Sequence, residues 1–153
     1  MSFEVKKILL CIDAEKHSIK AQEFSIDFAK KFGAKLVCLY VVDAYPKIYT
    51  NEIYAINRDE CREYLDRAQA KEGLQALQKF EEMARVAGIN YQIKIRYGFR
   101  EEEILKELEQ ENYDFLILGR KKLVRYLDKI RSYNLPKKIF DKTYKSIIYI
   151  TGD

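Results

Sequence analysis

Few residues in this sequence have both the type and the spacing for chemistry, and most of them fall in one basic run. Residues 119–131 read GRKKLVRYLDKIR and bring Arg120, Lys121, Lys122, Arg125, Lys129 and Arg131 into one short stretch. Cations at this density can hold phosphate, on a nucleotide or on a polyanion such as RNA. They serve equally well as the solvated face of a helix whose other side carries Leu123, Leu127 and Ile130, the commoner role of a charge run. His17 is the only histidine. It stands at a predicted helix start, so a Ser–His–Asp arrangement would depend on it alone, with no surrounding motif in support. The patterns GxxxxGK[ST], GxGxxG and GxSxG are all absent, which removes the common phosphate-loop and nucleophile-elbow readings. The three cysteines show no CxxC or Cys/His spacing. Cys11 and Cys38 sit inside the apolar runs KKILLCI and KLVCLYVV, where a thiol behaves as a small buried hydrophobe. No catalytic centre and no metal site are expected.

The elements that must position these residues alternate along the chain. Lys6–Ile12 is a near-continuous apolar run ending in Asp13, the pattern of a strand buried on both faces. Ser18 can cap a following helix in which Ala21, Phe24, Phe28, Ala29 and Phe32 recur at helical spacing, with Gly33 as its stop. Lys35–Val42 is a second buried strand. A tyrosine-rich connection, Asp43–Asn57, is long for a loop in a compact domain and suits an anchor, a dimer contact or a ligand contact. One long helix is predicted from Arg58 to Ala87, with Gly73 a point at which it could loosen. Asn90–Tyr97 reads as a third strand and Gly98 as a turn. Glu101, Glu102 and Glu103 then complement the dipole of a helix start, with Ile104, Leu105 and Leu108 as its buried stripe. Asp114–Leu118 is a fourth strand, stopping at Gly119. A helix around Leu123–Ile130, a separate turn or short helix around Pro136, and a last strand Ser146–Ile150 complete the order. Strands alternating with helices predict one α/β domain over residues 1–153, with a doubly wound parallel sheet. Ligands of such sheets bind at the carboxyl ends of the strands.

The chain has 153 residues, 28 basic against 24 acidic side chains, and a formal charge of +4. That excess is too mild and too spread to make nucleic acid the default partner. No apolar stretch has transmembrane length and no signal-peptide pattern is visible, so no membrane association is expected and the cytoplasm is the expected compartment.

Two segments carry a family resemblance. KKILLCIDAEKHSIKAQEFSIDFAKKFGAKLVCLYVVD resembles the opening of the universal stress protein family, an apolar strand ending in Asp, a helix, and a second strand. GFREEEILKELEQENYDFLILGR is similar to the family's glycine turn, helix and following strand. The resemblance covers nearly the whole chain. It implies a flavodoxin-like three-layer sandwich with a five-stranded parallel sheet in the order 3-2-1-4-5, and a homodimer, here expected through strand 146–150, where a bare edge invites pairing. Many members bind ATP. By resemblance, Ile12, Asp13 and Val41 match the adenine and ribose end of that site, and Gly119 matches the first glycine of a phosphate loop, G-x2-G-x9-G-[ST]. The chain departs from that loop: Lys122 and Ser132 stand at its second and third glycines, and Tyr133 at its Ser/Thr. Glycines there let backbone N–H groups approach phosphate without a Cβ in the way. The expectation is a non-catalytic regulatory domain with weak or absent binding of ATP or AMP. The alternatives are an adenine-nucleotide site rebuilt on Arg120–Lys122, or polyanion binding by the 120–131 face. An ATP-pyrophosphatase reading fails on AEKHS, which replaces the glycine- and serine-rich loop such enzymes need after the first strand.

Overall fold

The computed structural model describes residues 3–13, 18–43, 58–121, 139 and 142–152. The tyrosine-rich connection after Asp43, the helix expected around 123–130 and the turn at Pro136 lie outside these residues. Five strands form one parallel sheet, β1 (Lys7–Ile12), β2 (Lys35–Asp43), β3 (Tyr91–Gly98), β4 (Phe115–Lys121) and β5 (Ile147–Gly152), in the order β3-β2-β1-β4-β5. Helices α1 (Ser18–Phe32) and α2 (Arg58–Ala87) cover one face, α1 over β1, β4 and β5 and α2 over β2 and β3. Helix α3 (Arg100–Gln110) covers β2 and β3 on the other face. The architecture is the flavodoxin-like sandwich, with the expected strand order.

The apolar runs divide by strand alternation. Ile8, Leu10 and Ile12 join Leu36, Cys38, Tyr40 and Val42 under α1 and α2, while Leu9 and Cys11 join Val37, Leu39 and Val41 under α3 with Ile104, Leu108, Leu116 and Leu118. Two separate cores therefore require Ile8–Ile12 of β1 and Leu36–Val42 of β2 to be apolar on both faces, which is why they read as unbroken runs.

Several local expectations are corrected. In α1, Ala21, Ser25, Ile26 and Ala29 are buried, whereas Phe24 and Phe32 remain 36% and 41% exposed. Those two rings belong to a ladder with Phe3, Phe28 and Phe115, centroids 4.9–6.3 Å apart, which lies along the flank of α1. Ser18 is the first helical residue; its hydroxyl donates back to the Asp13 carbonyl. Helix α2 runs unbroken through Gly73, where an added Cβ would stand 2.2 Å from the Tyr40 ring. The glycine permits a close helix–sheet approach. Strand β4 does not stop at Gly119 but continues to Lys121, pairing Gly119 with Ile150 and Arg120 with Thr151. The last strand starts at Ile147 and reaches Gly152.

The strand order leaves β3 at an outer edge, and its polar positions face inward. Lys94 and Arg96 meet Glu103 and Glu107, four residues apart on one face of α3, and Lys94 also meets Glu111 just past the helix end. Glu107 is fully buried and accepts from Lys94 Nζ at 2.6 Å, Arg96 Nη2 at 2.6 Å, Arg96 Nε at 3.0 Å and the Tyr113 hydroxyl at 2.6 Å. Burial pushes its carboxyl upward, and the bonds from Lys94, Tyr113 and Arg96 outweigh that and leave it below the ordinary range. Gly98 closes the strand at φ +147°, beside Glu103. Together these contacts fix where α3 begins, and so what stands over the strand ends.

Candidate functional site

The carboxyl ends of β1, β2 and β4 meet in register. Ile12 pairs with Tyr40 and Cys11 with Leu118, so one residue further on Asp13 stands beside Val41, and Gly119 beside Ile12. The chain leaving β1 is held where α1 starts: Ser18 Oγ donates to the Asp13 carbonyl at 3.1 Å and accepts from Gln22 Nε2 at 3.1 Å. A cleft opens at this point, lined among others by Ile12, Asp13, Ser18, Val41 and Gly119. Four of the residues singled out from the sequence thus come together. The part enclosed by the described residues measures about 30 Å³, room for a water-sized group or two. A ligand larger than that must lie across the mouth with one end reaching in. Two larger hollows, between α1 and α2 and beside the start of β5, are open surface grooves away from the strand ends.

Arg120 follows Gly119 on β4 but is exposed and does not line the cleft. Lys122, Ser132 and Tyr133 lie outside the described residues. Two of the lining residues not anticipated as site residues carry a thiol or a charge. Cys11 faces the cleft, yet burial pushes its thiol far up despite the lowering influence of Arg100; it is a protonated apolar wall and no nucleophile. Cys38, fully buried in the opposite core, is raised by burial in the same way. Arg100 is the other. It begins α3, one turn before the fully buried Ile104, and it lines the cleft. The available signal was a basic residue at the first position of a helix that follows a strand's carboxyl end, just where a helix dipole disfavours a cation. It was obscured by the three glutamates that follow.

Among the described residues no group of His, Cys, Asp or Glu could hold a metal ion, and no helix is long and apolar enough to cross a membrane. An acidic group, Asp13, and a guanidinium, Arg100, share a cleft with an apolar floor and a glycine at the end of a central strand.

The sequence profile of the universal stress protein family matches residues 4–131. The chain belongs to the universal stress protein family. A curated relative, a universal stress protein of Methanocaldococcus jannaschii, is 27% identical over 114 residues, which is 74% of this chain and 64% of the relative's length. Among solved structures, UspA from Lactobacillus plantarum superposes with a TM-score of 0.79 at 20% identity, covering 97% of this chain and 99% of that one. A universal stress protein in complex with cAMP gives 0.67 at 14% identity, covering 99% and 100%. The Archaeoglobus fulgidus universal stress protein in complex with dAMP gives 0.62 at 14%, covering 97% and 99%. At these identities the structural matches establish the shared fold alone. The ligands in the last two belong to those proteins.

Proposed function

We propose that this universal stress protein domain is a non-catalytic regulatory module that binds an adenine nucleotide weakly at the carboxyl ends of β1, β2 and β4. The observation that carries the reading is the cleft in which Ile12, Asp13, Val41 and Gly119 converge. Asp13 would accept hydrogen bonds from a ribose hydroxyl or from the adenine amino group, and Ile12 and Val41 would supply apolar contact to the base. Two structural neighbours of the same fold carry adenine monophosphates, which supports adenine over other bases. Weak affinity follows from the altered loop: of the three glycines expected there, only Gly119 is present, with Lys122 and Ser132 at the other two positions. Among the described residues no side chain on the cleft is arranged as a nucleophile with its base, and binding without turnover is the expected behaviour.

Calorimetric titration of nucleotide-stripped protein with adenosine, AMP, ADP and ATP tests this. The expected result is binding in the range of about 10 µM to 1 mM, lost in Asp13→Ala, with no phosphate released over a long incubation. Absence of any binding at millimolar ligand would remove the nucleotide reading, and steady phosphate release would remove the non-catalytic one.

A further inference from the structure

We infer that Arg100 provides the phosphate contact of this cleft, taking over from the glycine loop as the group that recognises the anionic end of the ligand. This rests on the adenine-nucleotide reading above and names the residue that would distinguish a nucleotide from a nucleoside. Arg100 lines the same cleft as Asp13 and Gly119. Its charge is felt both at Cys11, on the floor, and at Tyr40, in the neighbouring strand. It occupies the first position of α3, where the helix dipole works against a cation.

The following glutamates do not relieve that cost. Glu101 pairs with Lys142, and Glu103 pairs with Arg96 and with Lys106 at 3.1 Å. Among the described residues no carboxylate lies within ion-pair distance of Arg100. A guanidinium held in a cleft without a carboxylate partner presents a planar fork of donors suited to phosphate oxygens. The enclosed space of about 30 Å³ has room for a group the size of a phosphoryl oxygen or two. Arg120, by contrast, is exposed and off the cleft. Arg120 is therefore not where this cleft meets an anion.

The experiment compares adenosine, AMP and tripolyphosphate on wild-type protein, Arg100→Gln and Arg120→Gln. Binding is read by calorimetry, folding by circular dichroism, and the wild-type Arg100 Nε–Hε resonance by NMR. Arg100→Gln is expected to weaken AMP about 10- to 100-fold, the usual worth of one charged hydrogen-bonding group, while leaving adenosine unchanged. Arg100→Lys should restore part of the loss, Arg120→Gln should change little, and AMP and tripolyphosphate, but not adenosine, should move the Arg100 resonance. Equal losses for adenosine and AMP, or unchanged AMP affinity in Arg100→Gln, overturn the assignment while the nucleotide reading stands. A resonance moved by tripolyphosphate in a protein that binds no nucleotide leaves the anion site standing and removes the nucleotide. A resonance moved by none of the three ligands overturns the assignment without help from any variant.

Discussion

Glu107 shows how much of this fold depends on one side chain. It sits on α3 with no exposed side-chain surface, and its two oxygens collect Lys94, both the Nε and Nη2 of Arg96, and the Tyr113 hydroxyl. A buried carboxylate with every lone pair engaged contributes little beyond an apolar replacement of the same shape, but removing it alone strands its partners. Lys94 and Arg96 keep about a fifth of their side-chain surface in water, so the penalty belongs at the low end of the range for broken buried pairs. Glu107→Ala is expected to lower unfolding stability by about 3 kcal/mol, measured by urea denaturation at pH 7; a loss below about 1 kcal/mol would show that the cations rehydrate freely. The same network sets the acid response. Bonds from Lys7 and Lys94 hold the Glu111 carboxyl at about 2, against an ordinary value of 4.5, and Glu107 is also lowered. A carboxyl lowered in the folded state stabilises fully above its unfolded value and loses that contribution as the pH falls through its folded value. Stability should therefore decline from about pH 4.5 toward pH 2, with a shallower decline in Glu111→Gln.

Helix α2 is held to the sheet at a point where the sequence suggests weakness. Gly73 lies opposite Tyr40, and a Cβ there would fall 2.2–2.6 Å from three atoms of a ring that is itself buried. Alanine would gain about 1 kcal/mol of helix propensity over glycine, while forcing a well-packed ring aside costs about 1–3 kcal/mol. Gly73→Ala is expected to destabilise by about 1 kcal/mol by chemical denaturation, and a stabilised variant would mean that the Tyr40 ring moves without cost. The contrast between these elements explains what could be read in advance. β1 and β2 were legible because burial on both faces leaves an unbroken apolar string, and the strand order followed from the resemblance that those strings support. β3 was legible as a strand but its orientation was not, since Lys94 and Arg96 obey the usual polar alternation while pointing at a helix instead of water. The α1 phenylalanines misled for the opposite reason: stacked on one another, they gain contact without leaving the surface. In the cleft, Asp13, Val41 and Gly119 followed from the family resemblance, which places them at strand ends. Arg100 did not, because its place depends on how the β3–α3 ion network sets the start of a helix.

The order β3-β2-β1-β4-β5 leaves β5 as the outer strand next to β4, at the opposite edge from β3, where the α3 network lies. Residues of β5 alternate in which side their backbone groups face. The Leu116 N–H donates to the Ser146 carbonyl at 2.9 Å, so 146, 148 and 150 turn toward β4, and Ile147 and Thr151 turn their N–H groups away from it. A strand in this position pairs readily with a second copy of itself across a twofold axis. A homodimer built on it would leave the Asp13–Arg100 cleft of each protomer open, since that cleft lies at the ends of β1, β2 and β4 and no residue of β5 lines it. Proline removes an N–H and is tolerated on an outer strand when that N–H faces away from the sheet. The double variant Ile147→Pro/Thr151→Pro is therefore expected to keep its fold, because the β4–β5 ladder retains its own donors, and to lose its partner. By analytical ultracentrifugation the wild-type protein should sediment as a dimer and the double variant as a folded monomer. A variant that stays dimeric would move the interface to another surface, and a wild-type monomer at high micromolar concentration would remove the dimer altogether. If the dimer is lost but adenine-nucleotide affinity is unchanged, each protomer carries a complete site, and any coupling between ligand and assembly must run through β4, the one strand that borders both the cleft and β5.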